Sequence, residues 1–315
     1  MKNVFLTPLE AVDLRAQAEK VLRGLGNPEP PLDLPSVYEL LRLDRQFYST
    51  TDDGAVREFV SRVKIAGKQI VARPTLLIDV IRKAQLSALW VPDRKRILID
   101  ATTPKLKQRW FEAHEVGHSL VPWHEDYLYG DSEETLTPMC DERLESEANY
   151  TGGQLLFMLD RFTREAMDLS TSIDSVRGLA KRFGNTITST VWRFVEEAHH
   201  DAPLVGIVTP DPLKADNLAP STHHPRQYCI ESPQFKARFS NVSERFLITV
   251  VNGYITHRRG GPLGEAEVLL PDNSGQKHVF YFETFSNGYS FLTLGVYRRP
   301  APCLIALPTY QLHIK

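Results

Sequence analysis

The run Arg109-Trp110-Phe111-Glu112-Ala113-His114-Glu115-Val116-Gly117-His118 holds the residue types best suited to chemistry in this chain. It contains the pattern His-Glu-x-x-His. On an α-helix, positions i and i+4 stand one above the other on the same face, so His114 and His118 can present two imidazoles to one metal ion. Glu115 follows His114 directly and reaches the same cavity edge, where a carboxylate can take a proton from a metal-bound water. The pattern also arises by chance on solvated helices. Its weight therefore depends on the elements that must complete the site.

The first of these is the helix that carries the motif. Thr103 reads as its N-cap and Pro104 as its first residue, and Leu106, Trp110, Ala113 and Gly117 form an apolar stripe. A hydrolytic zinc site takes three protein ligands and leaves the fourth position to water. Two downstream residues compete for the third place. His124 stands six residues after His118, a spacing that serves a metal only when a glycine three residues after the second histidine turns the chain back. Val121 holds that place, and a β-branched residue adopts positive φ only at a cost, so His124 is a poor ligand. Glu145 is the better one. It falls on a second expected helix beginning near Asp141, with Leu144, Ala148, Gly152 and Leu155 on one stripe. Ala148, Gly152 and Gly153 are small enough to let this helix approach the first closely. Asn149, four residues after Glu145, is placed to orient a ligating histidine. Glu147 points elsewhere on the helix and is expected to face solvent.

Arg109–Leu120 and Leu144–Phe157 together resemble the ImmA/IrrE family of zinc metallopeptidases, whose pattern is a His-Glu-x-x-His helix followed by a Glu-x-x-Ala-Asn helix ending in Leu-Leu. Upstream, Pro30–Leu43 is similar to the helix that opens the family domain, and Ala88–Asp100 to the β-hairpin before its metal helix. The likeness runs over roughly residues 10–200, and the paired motifs in order are fairly specific. It implies zinc, with manganese as the alternative, held by His114, His118 and Glu145, with Glu115 as the base. It also implies a protein substrate, commonly a DNA-binding repressor.

At 315 residues the chain has length for two or three domains and a sizeable core. A net charge of -2 with 24% charged residues gives no pull toward nucleic acid or membrane. No apolar run approaches a membrane span, Met1–Leu6 lacks the apolar stretch of a signal peptide, and the cysteines, Cys140, Cys229 and Cys303, are odd in number and scattered. A cytoplasmic protein is expected, of α+β class. A mostly helical, zincin-like peptidase domain with a small β-sheet should occupy 1–160. A helical, helix-turn-helix-like extension should follow over 161–202, and a β-rich sensory or substrate-recruiting domain over 203–315.

Local signals place the supporting elements. Thr7-Pro8-Leu9-Glu10 has the form of a capping box opening a helix whose Leu14, Ala18, Val21 and Leu22 share a face. A short helix at Ser36–Leu41 and a strand at Asp44–Ser49 come next, then helical patterns around residues 56–63 and 74–84. Leu86–Val91 and Arg96–Asp100 read as a hairpin, and Leu86–Trp90 is the candidate open edge on which an extended substrate could add as a strand. Trp90, with His124, Tyr127 and Tyr129 of the polar loop between the metal helices, is a candidate substrate contact or oxyanion donor. Residues 172–184 and 186–197 resemble two helices turned at Gly184. The second opens on Thr186-Ile187-Thr188-Ser189-Thr190, without the cations and amides that read DNA, so packing or gripping a protein substrate is expected rather than DNA binding. The histidine pairs His199-His200 and His223-His224 flank a proline-rich passage, and a domain boundary is placed near 202. Beyond it, strands are expected at Leu204–Val208, Phe246–Val251, Ala266–Leu270, Val279–Phe285 and Phe291–Val296.

The leading expectation is a zinc endopeptidase. The alternative is a regulatory protein that binds DNA or a repressor and keeps the peptidase fold as a scaffold. Glu115 discriminates, because a scaffold has no need of a carboxylate beside the first ligand.

Overall fold

The structure, a computed structural model, describes residues 6–48, 88–91, 95–101, 103–124, 138–211, 227–255 and 260–302. Its contacts divide the chain into two units, Met1–Glu165 with Gly178–Thr186, and Ala166–Arg177 with Ile187–Lys315.

The first unit opens with helix α1 (Pro8–Gly24), which starts where the capping box places it. Glu10 N donates to Thr7 Oγ1 at 3.3 Å and Thr7 N donates to Glu10 Oε2 at 2.7 Å. Leu14, Ala18, Val21 and Leu22 are buried as the spacing predicts. Thr7→Ala should cost about 1 kcal/mol through the lost cap, read as a lower denaturation midpoint in urea. Helix α2 (Leu34–Leu41) is capped by Asp33, whose carboxylate accepts from Ser36 N at 3.0 Å. Strands β1 (Asp44–Tyr48), β2 (Ala88–Val91) and β3 (Arg96–Asp100) form a sheet of order β1-β3-β2. β1 runs parallel to β3, and β2 pairs antiparallel with β3 in the register Val91↔Arg96 to Ala88↔Ile99, the expected hairpin.

Helix α3 (Lys105–Leu120) packs on β2 and β3. It begins one residue later than the sequence suggested. Pro104 occupies the N-cap itself, without a side-chain cap, and Leu106 at 55% exposure stands outside the buried face. Helix α4 (Pro138–Leu156) packs on both α3 and α1. The α3–α4 crossing is a backbone contact. A Cβ on Gly117 would stand 2.4 Å from the Ala148 carbonyl oxygen, and one on Gly152 would stand 2.5 Å from that of Ala113.

Helix α5 (Asp160–Met167) and helix α6 (Ile173–Phe183) follow, and Gly184 turns the chain at φ 67 into helix α7 (Ile187–Arg193), which ends in a π-helical turn at Phe194–Ala198. Within the first unit Phe162 meets both Phe157 and Phe183 edge to face, and Asn185 Nδ2 donates to the Leu156 carbonyl at 3.2 Å.

In the second unit β4 (Leu204–Pro210), β5 (Tyr228–Glu231), β6 (Gly261–Pro271), β7 (Lys277–Ser286) and β8 (Ser290–Pro300) make an antiparallel sheet of order β5-β4-β8-β7-β6. Helices α8 (Pro233–Arg238) and α9 (Glu244–Tyr254) lie between β5 and β6 in the chain, and Phe235, Phe239, Leu247 and Val251 join Val205, Ile207, Phe280 and Phe282 in one core. The strand expected at Phe246–Val251 is therefore helix. Ser243 caps it, accepting from Phe246 N at 3.2 Å, and burial of Leu247 and Val251 four residues apart outweighs the β-branched composition. β5 and α8 carried no signal strong enough to be placed from sequence.

The fold class is α+β: helices with a small mixed sheet, and a separate antiparallel sheet toward the C-terminus. Among the described residues no helix is long and apolar enough to cross a membrane. The helical patterns at 56–63 and 74–84, Leu86 and Ser87, Tyr127, Tyr129, His223-His224 and Cys303 lie outside the described residues.

Candidate metal centre

His114 and His118 project from successive turns of α3, and Glu145 comes from α4. The close crossing at Gly117 and Gly152 brings the two helices near enough for a short carboxylate side chain to reach both rings. His114 Nε2 lies 3.1 Å from His118 Nε2 and 3.1 Å from Glu145 Oε2, and His118 Nε2 lies 3.4 Å from Glu145 Oε1. Among the described residues, His114, His118 and Glu145 form the cluster whose ligand atoms could hold a metal ion. A tetrahedral ion with bonds of about 2.0–2.1 Å sets its ligand atoms about 3.3 Å apart; the two ring nitrogens, and for each ring the nearer Glu145 oxygen, stand near that spacing, and one atom from each of the three residues lies within 4.8 Å of the others. The donor set, two imidazoles and a carboxylate, also suits zinc in a site with an open position. The imidazoles are buried to 11% exposure each, whereas the Glu145 side chain is 58% exposed, so the site opens on the Glu145 side.

The electrostatics keep two of the three donors, His118 and Glu145, in the form that can bind a metal. Burial pushes His118 down to about 4, with the neighbouring imidazoles of His114 and His124 working in the same direction against the pull of the adjacent Glu145 carboxylate. Burial also works against charge on His114, but hydrogen bonding to Glu145 and the negative charges of Glu115 and Glu145 leave its pKa raised. For Glu145, burial is outweighed by its close contacts with the His114 and His118 rings, which hold it well below the usual carboxylate range. Near neutral pH the carboxylate is thus charged and His118 is uncharged.

Asn149 lies on α4 one turn beyond Glu145, and its Oδ1 is 3.1 Å from His114 Nδ1. That contact puts the Nδ1 proton on His114 and frees Nε2 to face the site. Glu115 is buried at 7% exposure beside His114.

Two readings need correction. His124, expected to be a poor ligand, stands outside the ligand cluster, but as a candidate oxyanion donor it is misplaced, since both of its ring nitrogens are engaged behind His118. Val121 closes α3 in an extended conformation (φ -97, ψ 104), which avoids the strained turn a third histidine ligand would need and swings His124 behind His118. There it is fully buried, with Nδ1 2.9 Å from His118 Nδ1 and Nε2 2.8 Å from Glu147 Oε2. Glu147, expected in solvent, is fully buried. Its face of α4 is interior because elements pack on more than one side of that helix, α1 and α3 among them. The sequence signal that could have found it is the adjacent Trp123-His124 pair, which supplies two N–H donors to one anion. Trp90 is placed in β2 opposite Ile97, and its side chain lies outside the described residues.

The model of the family described as the IrrE N-terminal-like domain, Peptidase_M78, matches residues 75–194. His114, Glu115, His118, Glu145 and Asn149 all fall inside that span. No curated protein matches the chain. Among solved structures, a Mycobacterium tuberculosis transcriptional regulator is similar over 90% of this chain and 88% of its own, at 12% identity and a TM-score of 0.49.

Proposed function

We propose that this protein, whose residues 75–194 match the IrrE N-terminal-like domain of the Peptidase_M78 family, is a zinc-dependent endopeptidase that cuts a protein substrate, a transcriptional repressor. The observation that carries this reading is the convergence of two imidazole nitrogens, 3.1 Å apart, on one carboxylate that has an oxygen within 3.4 Å of each. Two imidazoles and a carboxylate turned toward one point offer a divalent cation three protein ligands and leave its fourth position to water. His114, His118 and Glu145 would hold zinc, or manganese in its place. When bound, the ion polarises the scissile carbonyl and acidifies water at neutral pH.

The chain's own groups supply the rest. Glu115 takes the proton of the attacking water and returns it to the leaving amine. Asn149 keeps His114 turned toward the site. Among the described residues β2 is an edge strand of its sheet and packs on α3, so an extended segment of substrate can add to it by main-chain hydrogen bonds. In this reading residues 1–160 are the cutting domain. The helical stretch 161–202 and the β-rich region 203–315 recruit the substrate or sense the signal for cleavage, in the cytoplasm.

The test is to load the purified protein with zinc and incubate it with a candidate DNA-binding repressor. Cleavage at a discrete peptide bond is expected, and His114→Ala should lose both metal and cleavage. Failure to retain zinc when zinc is supplied would end the peptidase reading. A loaded protein that binds the repressor and leaves it intact would make this a regulatory scaffold instead.

A further inference from the structure

Behind His118 lies a row of buried groups that the peptidase reading does not use. His118 Nδ1 is 2.9 Å from His124 Nδ1, and His124 Nε2 is 2.8 Å from Glu147 Oε2. Glu147 Oε2 also accepts from Trp123 Nε1 at 2.6 Å, and Glu147 Oε1 accepts from Arg143 Nε at 3.1 Å. The side chains of His124 and Glu147 have no exposure to water.

The positions of the protons follow from donor chemistry. An indole N–H and a guanidinium only donate, so Glu147 is held as an accepting carboxylate. His124 therefore carries its proton on Nε2, where it donates to Glu147. In the neutral ring the lone pair is then on Nδ1, and the hydrogen shared between the two Nδ1 atoms belongs to His118. His118 in turn keeps Nε2 bare, and Nε2 is the atom that faces His114 and Glu145.

We propose that His124 and Glu147 are positioning residues for the metal: the buried Glu147–His124–His118 relay locks His118 as its Nδ1–H tautomer and aims its Nε2 lone pair at the ion. This deepens the zinc reading and rests on it. The two ligating histidines are supported unequally. Behind His114 stands the neutral amide of Asn149, whereas behind His118 a carboxylate acts through a second imidazole. An anion on the far side of a histidine makes that histidine a stronger ligand. The arrangement also explains the deep burial of a carboxylate two positions from the exposed Glu145.

The experiment uses the full-length chain stripped of metal. Zinc affinity is measured by competition with a chromophoric chelator, and the tautomer of His118 by 15N chemical shifts of the imidazole nitrogens. His124→Leu should weaken zinc binding about 10–100-fold, and His124→Gln, which offers both an acceptor and a donor, should recover part of it. Trp123→Phe removes a donor to Glu147 but leaves the relay whole, and should keep wild-type affinity. In case His124→Leu does not fold, Glu147→Gln provides the same reading: His118 should lose its single Nδ1–H signature and bind zinc more weakly. A folded His124→Leu protein with wild-type affinity, or equal losses in Trp123→Phe and His124→Leu, would overturn the proposal. So would a His118 tautomer in the wild type protonated on Nε2. The tautomer is read without metal, so a wild type that binds no zinc would defeat the peptidase reading and still leave the relay open to test.

Discussion

A Glu115→Gln protein is expected to bind zinc as tightly as the wild type and to cleave its substrate about 10²–10⁴-fold more slowly, the range a positioned general base contributes. The amide is close to the carboxylate in size, so the buried site at 7% exposure should keep its packing. What is lost is the ability to accept a proton. Metal content and thermal midpoint therefore serve as internal controls, and the cleavage rate under single-turnover conditions is the readout. Equal rates for the two proteins would remove Glu115 from the chemistry. A large loss of bound zinc in the variant would instead make Glu115 a ligand, which its place outside the His114–His118–Glu145 cluster argues against.

Gly117→Ala should be the most damaging substitution of a single methyl group in the first unit. The added carbon would lie 2.4 Å from the Ala148 carbonyl oxygen and 3.1 Å from the Ala148 Cα, and these are backbone atoms that cannot rotate away. The helices must separate or slide. Overpacking of this kind costs about 1–3 kcal/mol, and with backbone on both sides the upper end is expected. Separation would also draw Glu145 from the two imidazoles, so zinc affinity should fall along with the thermal midpoint. Gly152→Ala, at 2.5 Å from the Ala113 carbonyl oxygen, should behave alike. Gly153→Ala is the control, since its nearest contact is the end of the Trp110 ring at 3.8 Å. If Gly117→Ala melts and binds zinc like the wild type, the backbone contact does not set the geometry of the site.

Residue type and spacing carried the centre of this site. The i, i+4 histidines, the glutamate beside the first of them and the Glu145/Asn149 pair are properties of single helices, and their faces follow from 3.6 residues per turn. The small residues Ala148 and Gly152 announced a close crossing for the same reason. The capping box at Thr7 and the buried face of α1 were equally local, and both hold in the structure.

The departures have a common origin. Phe246–Val251 reads as strand by composition, but a serine cap and the core beneath it draw the segment into helix. Pattern alone could not say which residues of α4 meet water, because that depends on what packs on its other sides. Tertiary structure decided that Glu147 is interior, that an extended Val121 leaves His124 outside the His114–His118–Glu145 cluster, and that the two together stand behind His118. Ligand identity is written in one helix at a time. The environment that sets how each ligand is protonated belongs to neighbours far away in the chain, and it comes into being only when the helices pack.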